Sequence, residues 1–502
     1  MSPAPRPVSF LLSPTTALNW YPPASRVLTS ALRGRPDLDV TFSTAPVDIY
    51  FDGLRRHRRA YRARHAAGTL ESYMRSPMWV APHLDVVAGL HDERILASVP
   101  APHVLVSALS VFDLFVVARL LAAGKQVLLG GNLTLLYSRG ELRDLLAALG
   151  ADPARLARDL IVLRGYLTPQ TDLGALLDAW RDAEVAETDH RGLLTARDDL
   201  LLPYARAIGL VTHGAAQVAV PLSSGCWYGR CEFCTARNQP THDFVAALRP
   251  EEVAGHLHEL AALYHTDGVV LTDNYMGFSA KEEAILARRA PVRVTVYSGV
   301  RLLCDPEYVK RANRCADGLR VGVESGSDFA LAQIRKGFRF ADTERAAQNL
   351  IDHFDRDKEL NFLIVYDLPH ESAADVRRGF ARLCDLTARL RAAGFRRVVV
   401  SGFPLLGFPG TDVLTTSPLL EPRPPAELPD EELSGAWILQ RWYEQAHGVR
   451  LPATLDAIMT PFRRRGRDGA VLPSDLRLLD QATVDFLEDR PAAAADAAAA
   501  PR

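Results

Sequence analysis

Between residues 217 and 401 six short β-type runs recur, each followed by polar residues or glycine and then by a helical stretch, and that alternation leaves few folds open. The runs cover 217–220, 268–271, 292–297, 318–323, 360–365 and 397–401. Apolar runs of this length read as strands covered on both faces, and helices between them make the repeating βαβ unit of a parallel sheet. A partial (β/α)6 barrel is the expectation. Its first helix, at 250–264, opens on Pro250, Glu251 and Glu252, a proline and two acids suited to a first turn. Such barrels gather their chemistry at the carboxyl ends of the strands. There this chain places Thr272, Asp273 and Asn274, then Ser298, Gly299 and Arg301, then Glu324 and Ser325, then Asp367, and finally Phe403.

A second α/β pattern precedes this one. Strands are expected at 8–12, 40–43, 103–107, 126–129 and 160–163, with helices at 24–32, 111–123 and 172–182. Ser107 closes the third strand, Gly130, Gly131 and Asn132 follow the fourth, and Arg164, Gly165 and Tyr166 follow the fifth. Open α/β sheets bind ligands at such strand ends, where glycine lets backbone approach closely; a tight turn is the other reading. Residues 51–100 are too many for an ordinary connection and read as a helical insertion. Its basic run RRHRRAYRARH is either a phosphate-binding patch or the solvated face of a helix, and the lack of a glycine loop favours the face.

Three of the six cysteines lie in GCWYGRCEFC, residues 225–234, on the loop leaving the first barrel strand. Thiolates at Cys226, Cys231 and Cys234 can hold three irons of a four-iron cluster and leave the fourth iron open to a ligand. A zinc site asks for four ligands, and His213 and His242 flank the loop at spacings unlike a zinc finger or ribbon. Cys304, Cys315 and Cys384 read as packing residues. With 58 Lys and Arg against 60 Asp and Glu, the net charge of −2 supplies no basic field for nucleic acid. The opening stretch is broken by Pro14 and lacks a secretory pattern, so no membrane partner and a cytoplasmic location are expected.

The cysteine loop resembles that of the radical S-adenosylmethionine (SAM) enzymes, in which an aromatic residue such as Phe233 precedes the last cysteine. The usual spacing has three residues between the first two cysteines; here Trp227, Tyr228, Gly229 and Arg230 intervene, and this longer arm is expected to bulge outward. The stretch LRVGVESGSDFALAQIRKG, residues 319–337, is similar to the GVESG segment of radical SAM enzymes that carry a cobalamin-binding domain ahead of the barrel. The amino-terminal pattern resembles that domain too, with Pro14, the YPP of 21–23 and the glycine pair at 130–131 in the expected order. The Asp-x-His-x-x-Gly motif that places a histidine beneath cobalt is absent. Where the family has a glycine and then LPGET, this chain reads DLPHES at 367–372, whereas FPLLGFPGTD at 403–412 follows the family's habit.

The resemblance implies a Rossmann-like cobalamin-binding domain over 1–190, a radical SAM barrel over 205–415, a helical extension over 416–488 and a disordered tail over 489–502. It implies a [4Fe–4S] cluster on Cys226, Cys231 and Cys234. SAM would lie against Phe233, Thr272, Asp273, Ser298, Arg301, Glu324, Ser325 and Phe403. Cobalamin would lie against Pro14, Ser107, Gly130, Gly131, Asn132, Arg164 and Gly165. The implied activity is C-methylation of a secondary-metabolite or peptide intermediate, with a flavodoxin or ferredoxin as electron donor. Cyclisation, rearrangement or methylthiolation without methyl transfer from cobalamin is the enzymatic alternative. An iron–sulfur sensor or nucleic-acid-binding protein is the alternative from another class.

Overall fold

The computed structural model describes residues 4–12, 23–49, 52, 92–108, 113–131, 133–165, 167, 171–185, 192–204, 217–234, 236, 241–366 and 373–404. Pro14, Tyr21 and Pro22 of the YPP segment, Asn132, Tyr166, His213, Asp367, residues 53–91 with their basic run, and everything after 404 lie outside the described residues.

The first sheet contains β1 (Arg6–Leu12), β2 (Leu38–Ser43), β3 (His103–Ser107), β4 (Gln126–Gly130), β5 (Leu160–Gly165) and β6 (Ala183–Val185), in the spatial order β2-β1-β3-β4-β5-β6. Every pairing is parallel. The chain leaves β1 toward β2 and returns to build β3 on the other side, so the strand order reverses between β1 and β3. In an open α/β sheet the binding crevice lies at that reversal, outside the strands' carboxyl ends.

One expectation here is corrected. The helix expected over 172–182 ends at Ala179, and β6, absent from the sequence reading, begins at Ala183. Trp180 takes a left-handed φ of 39°, its indole N–H donates to the Arg158 carbonyl at 2.7 Å, and its ring meets His103 edge-on. A bulky side chain anchored outside the helix axis terminates it. Asp182 then accepts from the Val162 N–H at 2.8 Å and ion-pairs with Arg143, which docks the chain beside β5.

The second sheet begins with β7 (Gln217–Val220); a two-stranded ribbon, β8 (Ser223–Ser224) and β9 (His242–Asp243), then flanks the cysteine loop. β10 (Gly268–Leu271), β11 (Arg293–Gly299), β12 (Gly318–Glu324), β13 (Glu359–Tyr366) and β14 (Arg397–Pro404) complete an all-parallel sheet ordered β14-β13-β12-β11-β10-β7. The six expected strands are all present. Leu319, Val321 and Val323 of β12 enter one hydrophobic core with Leu257 and Leu260 of helix Pro250–Leu263 and Ala346 and Leu350 of helix Phe340–His353. Because side chains alternate along a strand, Arg320, Gly322 and Glu324 take the other, inner face.

Residues 192–204 join the two sheets. Asp199 is buried among Ser25 of helix Pro23–Leu32, Tyr264 after helix Pro250–Leu263, and the Leu201 N–H, all three donating to its carboxylate. The core cluster that contains Val8, Phe10 and Leu12 of β1 also contains Val218, Val269 and Val294 of the second sheet, so apolar packing is continuous from one to the other. No helix among the described residues is long and apolar enough to cross a membrane.

Candidate active site

The cysteine loop is rooted at the carboxyl ends of β7 and β10. Asp273 accepts from the Leu222 N–H at 3.1 Å and from the Ser223 hydroxyl, and Asn274 Nδ2 donates to the Gly225 carbonyl at 2.8 Å. Burial pushes the Asp273 carboxyl up to about 6, with the Ser223 and Leu222 hydrogen bonds holding it from going higher. At the far end the Cys234 N–H donates to the Cys231 carbonyl, closing the last turn. The longer arm does bulge: Trp227 is 60% exposed and meets Tyr275 edge-to-face at 5.2 Å.

The other flank of the loop rests on the turn after helix Asp328–Gln333. The Glu232 N–H donates to the Ile334 carbonyl at 3.1 Å, and Arg335 forms an ion pair with the Glu232 carboxylate at 2.8 Å. Lys336 places its ammonium 5.5 Å from the centre of the Phe233 ring and 2.6 Å from Glu324 Oε1. Both members of that ion pair are almost fully enclosed, with side chains 11% and 10% exposed. Burial alone would lower the lysine, but Glu324 and Cys231 more than offset it and hold the ammonium above its ordinary range. Two non-glycine residues at this place adopt left-handed backbone, Glu324 at φ 65° beside the β12 bulge and Arg335 at φ 49°. Each costs about 1–2 kcal/mol, strain that persists only where surrounding contacts over-determine it.

The three thiols lie within one another's electrostatic reach. Burial pushes Cys231 up to about 11 and also raises Cys234, with Lys336 opposing both shifts and the other cysteines adding to them. Metal binding would therefore release protons from the loop. Among the described residues no three of His, Cys, Asp and Glu converge tightly enough to hold a single metal ion. Three thiols within electrostatic reach of one another, with a buried cation beside them, fit a cubane cluster, whose irons occupy separate corners and whose charge is negative.

The expected cofactor contacts divide on inspection. Phe233, Arg301 and Glu324 come together around the loop: Arg301 stacks its guanidinium 5.5 Å from the centre of the Tyr228 ring, and Thr272 stands half-buried at the end of β10. Asp273, Ser298 and Ser325 turn their side chains to partners within the protein. Ser298 shares the parity of Val294 and Val296, which pack in the outer core, so its hydroxyl meets Tyr308 at 3.1 Å instead of the inner face. Asp273 braces the loop from beneath, and Ser325 Oγ accepts from the Ser327 N–H at 3.0 Å at the following helix start. Phe403 ends β14, where the described structure extends to its backbone. The sequence reading names Asn274 only as a strand-end residue and Tyr228 only as part of the longer arm, and it does not single out Lys336. Their signal is tertiary, although Lys336 lies within the same motif stretch as Glu324.

In the first sheet the glycines answer to the protein's own packing. A Cβ at Gly131 would stand 2.5 Å from the Ala108 carbonyl oxygen, and one at Gly165 would stand 2.3 Å from that of Val185. The tight-turn reading accounts for the glycine at both positions. Gly130 and Ser107 are paired across β4 and β3, Ser107 is buried, and Arg164 Nε donates to the Thr134 carbonyl at 3.1 Å.

Residues 220–383, spanning the cysteine loop, the Glu324–Lys336 pair and four of the six strands, match the model of the Radical SAM superfamily. That segment, a third of the chain, is similar to the Radical SAM superfamily. Radical SAM proteins use a [4Fe–4S] cluster and S-adenosylmethionine. No curated protein matches its sequence. Among solved structures, the cobalamin-dependent radical SAM enzyme OxsB with aqua-cobalamin bound is 13% identical over 76% of this chain and 52% of that one, with a TM-score of 0.42. With S-adenosylmethionine also bound, the figures are 12%, 96%, 66% and 0.47. The radical SAM methyltransferase TsrM from Kitasatospora setae is 15% identical over 97% of this chain and 91% of that one, at 0.48. The chain thus spans between half and two-thirds of the OxsB chains it matches.

Proposed function

We propose that the chain is a cobalamin-dependent radical SAM methyltransferase acting at an unactivated carbon of a secondary-metabolite or peptide intermediate. The observation that carries the radical half of this reading is the convergence of Cys226, Cys231 and Cys234 with the buried Glu324–Lys336 pair at one set of strand ends. Cys226, Cys231 and Cys234 would hold the cluster. Lys336 offers a buried cation for the carboxylate of SAM, and Glu324 fixes that cation while presenting its second oxygen to hydroxyl or ammonium donors. Phe233 and Tyr275 shield the same volume from water.

When bound, the cluster and SAM supply a 5′-deoxyadenosyl radical able to take hydrogen from an unactivated carbon, and cobalamin supplies the methyl group. The cobalamin half rests on the resemblance of the amino-terminal sequence and on the strand order β2-β1-β3-β4-β5, whose reversal between β1 and β3 makes a ligand crevice. No histidine motif stands ready beneath cobalt. The chain's own contribution is to enclose the reaction: Asp273 and Asn274 keep the cysteine loop seated, and the inward layer of Tyr297, Arg320 and Asn361 lines the sheet below Glu324.

Anaerobic reconstitution with iron, sulfide and cobalamin, followed by SAM and a reductant, tests both halves. The expected products are 5′-deoxyadenosine and S-adenosylhomocysteine. Absence of both refutes the radical reading, and 5′-deoxyadenosine alone, whatever the cobalamin supplied, moves the assignment to cyclisation or rearrangement.

A further inference from the structure

We propose that Tyr228 is a positioning residue, and that the added residue in the Cys226–Cys231 arm serves to let it latch the turn that carries Lys336. The inference rests on the radical SAM reading above and assigns a task to the one feature in which the loop departs from the usual spacing.

Lys336 is bracketed by two left-handed residues, Arg335 at φ 49° and Gly337 at φ 74°. Tyr228 touches both. Its hydroxyl donates to the Arg335 carbonyl at 2.8 Å, and its phenol end lies so close over Gly337 that a Cβ there would stand 2.2 Å from the Tyr228 oxygen. Glycine is thus required at 337 both by the backbone and by the tyrosine. The ring is held from another side by the Arg301 guanidinium, 5.5 Å from its centre. Arg301 belongs to the short helix after β11, so the latch ties the cysteine loop, the end of β11 and the turn after helix Asp328–Gln333 at one point.

The other contacts between loop and turn lie upstream of the lysine. Glu232 holds Ile334 and Arg335, upstream of the lysine, through its own N–H and through the ion pair. Downstream, Gly337 is met by Tyr228. Without the latch the turn keeps its ties at Glu232, at the Glu324 ion pair and at Phe340, and loses the contact over Gly337, so the ammonium is held less closely beside Cys231 and Phe233. Fixing a cation before its anion arrives lowers the ordering cost of binding, which appears as affinity.

The test uses the full-length protein reconstituted anaerobically, with wild type, Tyr228→Phe, Lys336→Met and the double variant. Three quantities are measured: iron per chain, the dissociation constant of SAM by equilibrium dialysis, and the change in the spectrum of the reduced cluster on adding SAM. Tyr228→Phe keeps the ring and removes one hydrogen bond. It should retain wild-type iron content while binding SAM about three- to tenfold more weakly, the range of a single hydrogen bond, with a smaller SAM-induced spectral change. In the Lys336→Met background the same substitution should have no further effect on affinity, because the latch acts through the lysine. Wild-type affinity in Tyr228→Phe overturns the inference. So does loss of iron with unchanged affinity in the chains that still carry a cluster, the signature of a merely structural role. Wild type that holds iron yet fails to bind SAM overturns the function reading itself, and the latch with it.

Discussion

Replacing Glu324 by glutamine leaves the Lys336 ammonium enclosed without its counter-charge. In the wild type the two side chains are 11% and 10% exposed and 2.6 Å apart. Breaking a buried pair by removing one partner typically costs about 3–5 kcal/mol, because the surviving charge keeps its desolvation penalty and loses its compensation. Cys231 supplies little relief in the metal-free protein, since burial pushes its thiol up to about 11 and keeps it neutral at pH 7.5. The metal-free Glu324→Gln variant should therefore lose about 3 kcal/mol, roughly 6–12 °C in melting midpoint for a unit of this size. The double variant Glu324→Gln/Lys336→Met removes both charges and should recover most of that loss. Thermal unfolding of the metal-free proteins, monitored by far-ultraviolet circular dichroism, measures the cycle. A single variant within about 1 kcal/mol of wild type, or strictly additive single and double effects, would refute the claim that the pair is buried and mutually dependent.

Asp273 gives a pH signature. Its folded pKa of about 6 lies above the ordinary 3.8, so its contribution to stability is present below pH 3.8 and is lost as pH rises through 6. Relative to wild type, Asp273→Asn should gain about 2–3 kcal/mol between pH 4 and pH 7, and a pH-independent difference in urea unfolding would contradict the assignment. Cys231→Ala should abolish the cluster absorbance and bring iron per chain to background; retained absorbance would mean that other ligands hold it. Gly131→Ala, forced toward the Ala108 backbone, should destabilise the cobalamin-free protein by about 1–3 kcal/mol in a melting experiment. Unchanged stability with weakened cobalamin binding would favour the cradle reading of that glycine.

Much of the fold was legible because strand and helix signals are local. The runs at 217–220 and 268–271 carry enough β-branched residues to declare themselves, and their observed bounds agree with the expected ones. The run at 183–185 does not: three residues reading AEV have no periodicity, and they form a strand only because Asp182 and Trp180 anchor them beside β5. At the site the cysteines and Glu324 could be named from motif and strand-end position. Which face Ser298 takes could not be read by the same rule, because a strand end exposes one face or the other depending on a single step of register.

What the sequence determined by itself was a parallel α/β chain with three thiols on one loop and a glutamate at a strand end, features set by residue type and spacing. The tertiary structure decided which groups those residues meet. Tyr228 and Arg335 are 107 positions apart, Leu222 and Asp273 are 51 apart, and each pair touches because of which strand ends and turns the sheet brings side by side. Local sequence sets the conformation of an element, whereas the partner of a buried charge is chosen by packing among elements distant in the chain. That is why Lys336 became visible as part of the site only in three dimensions.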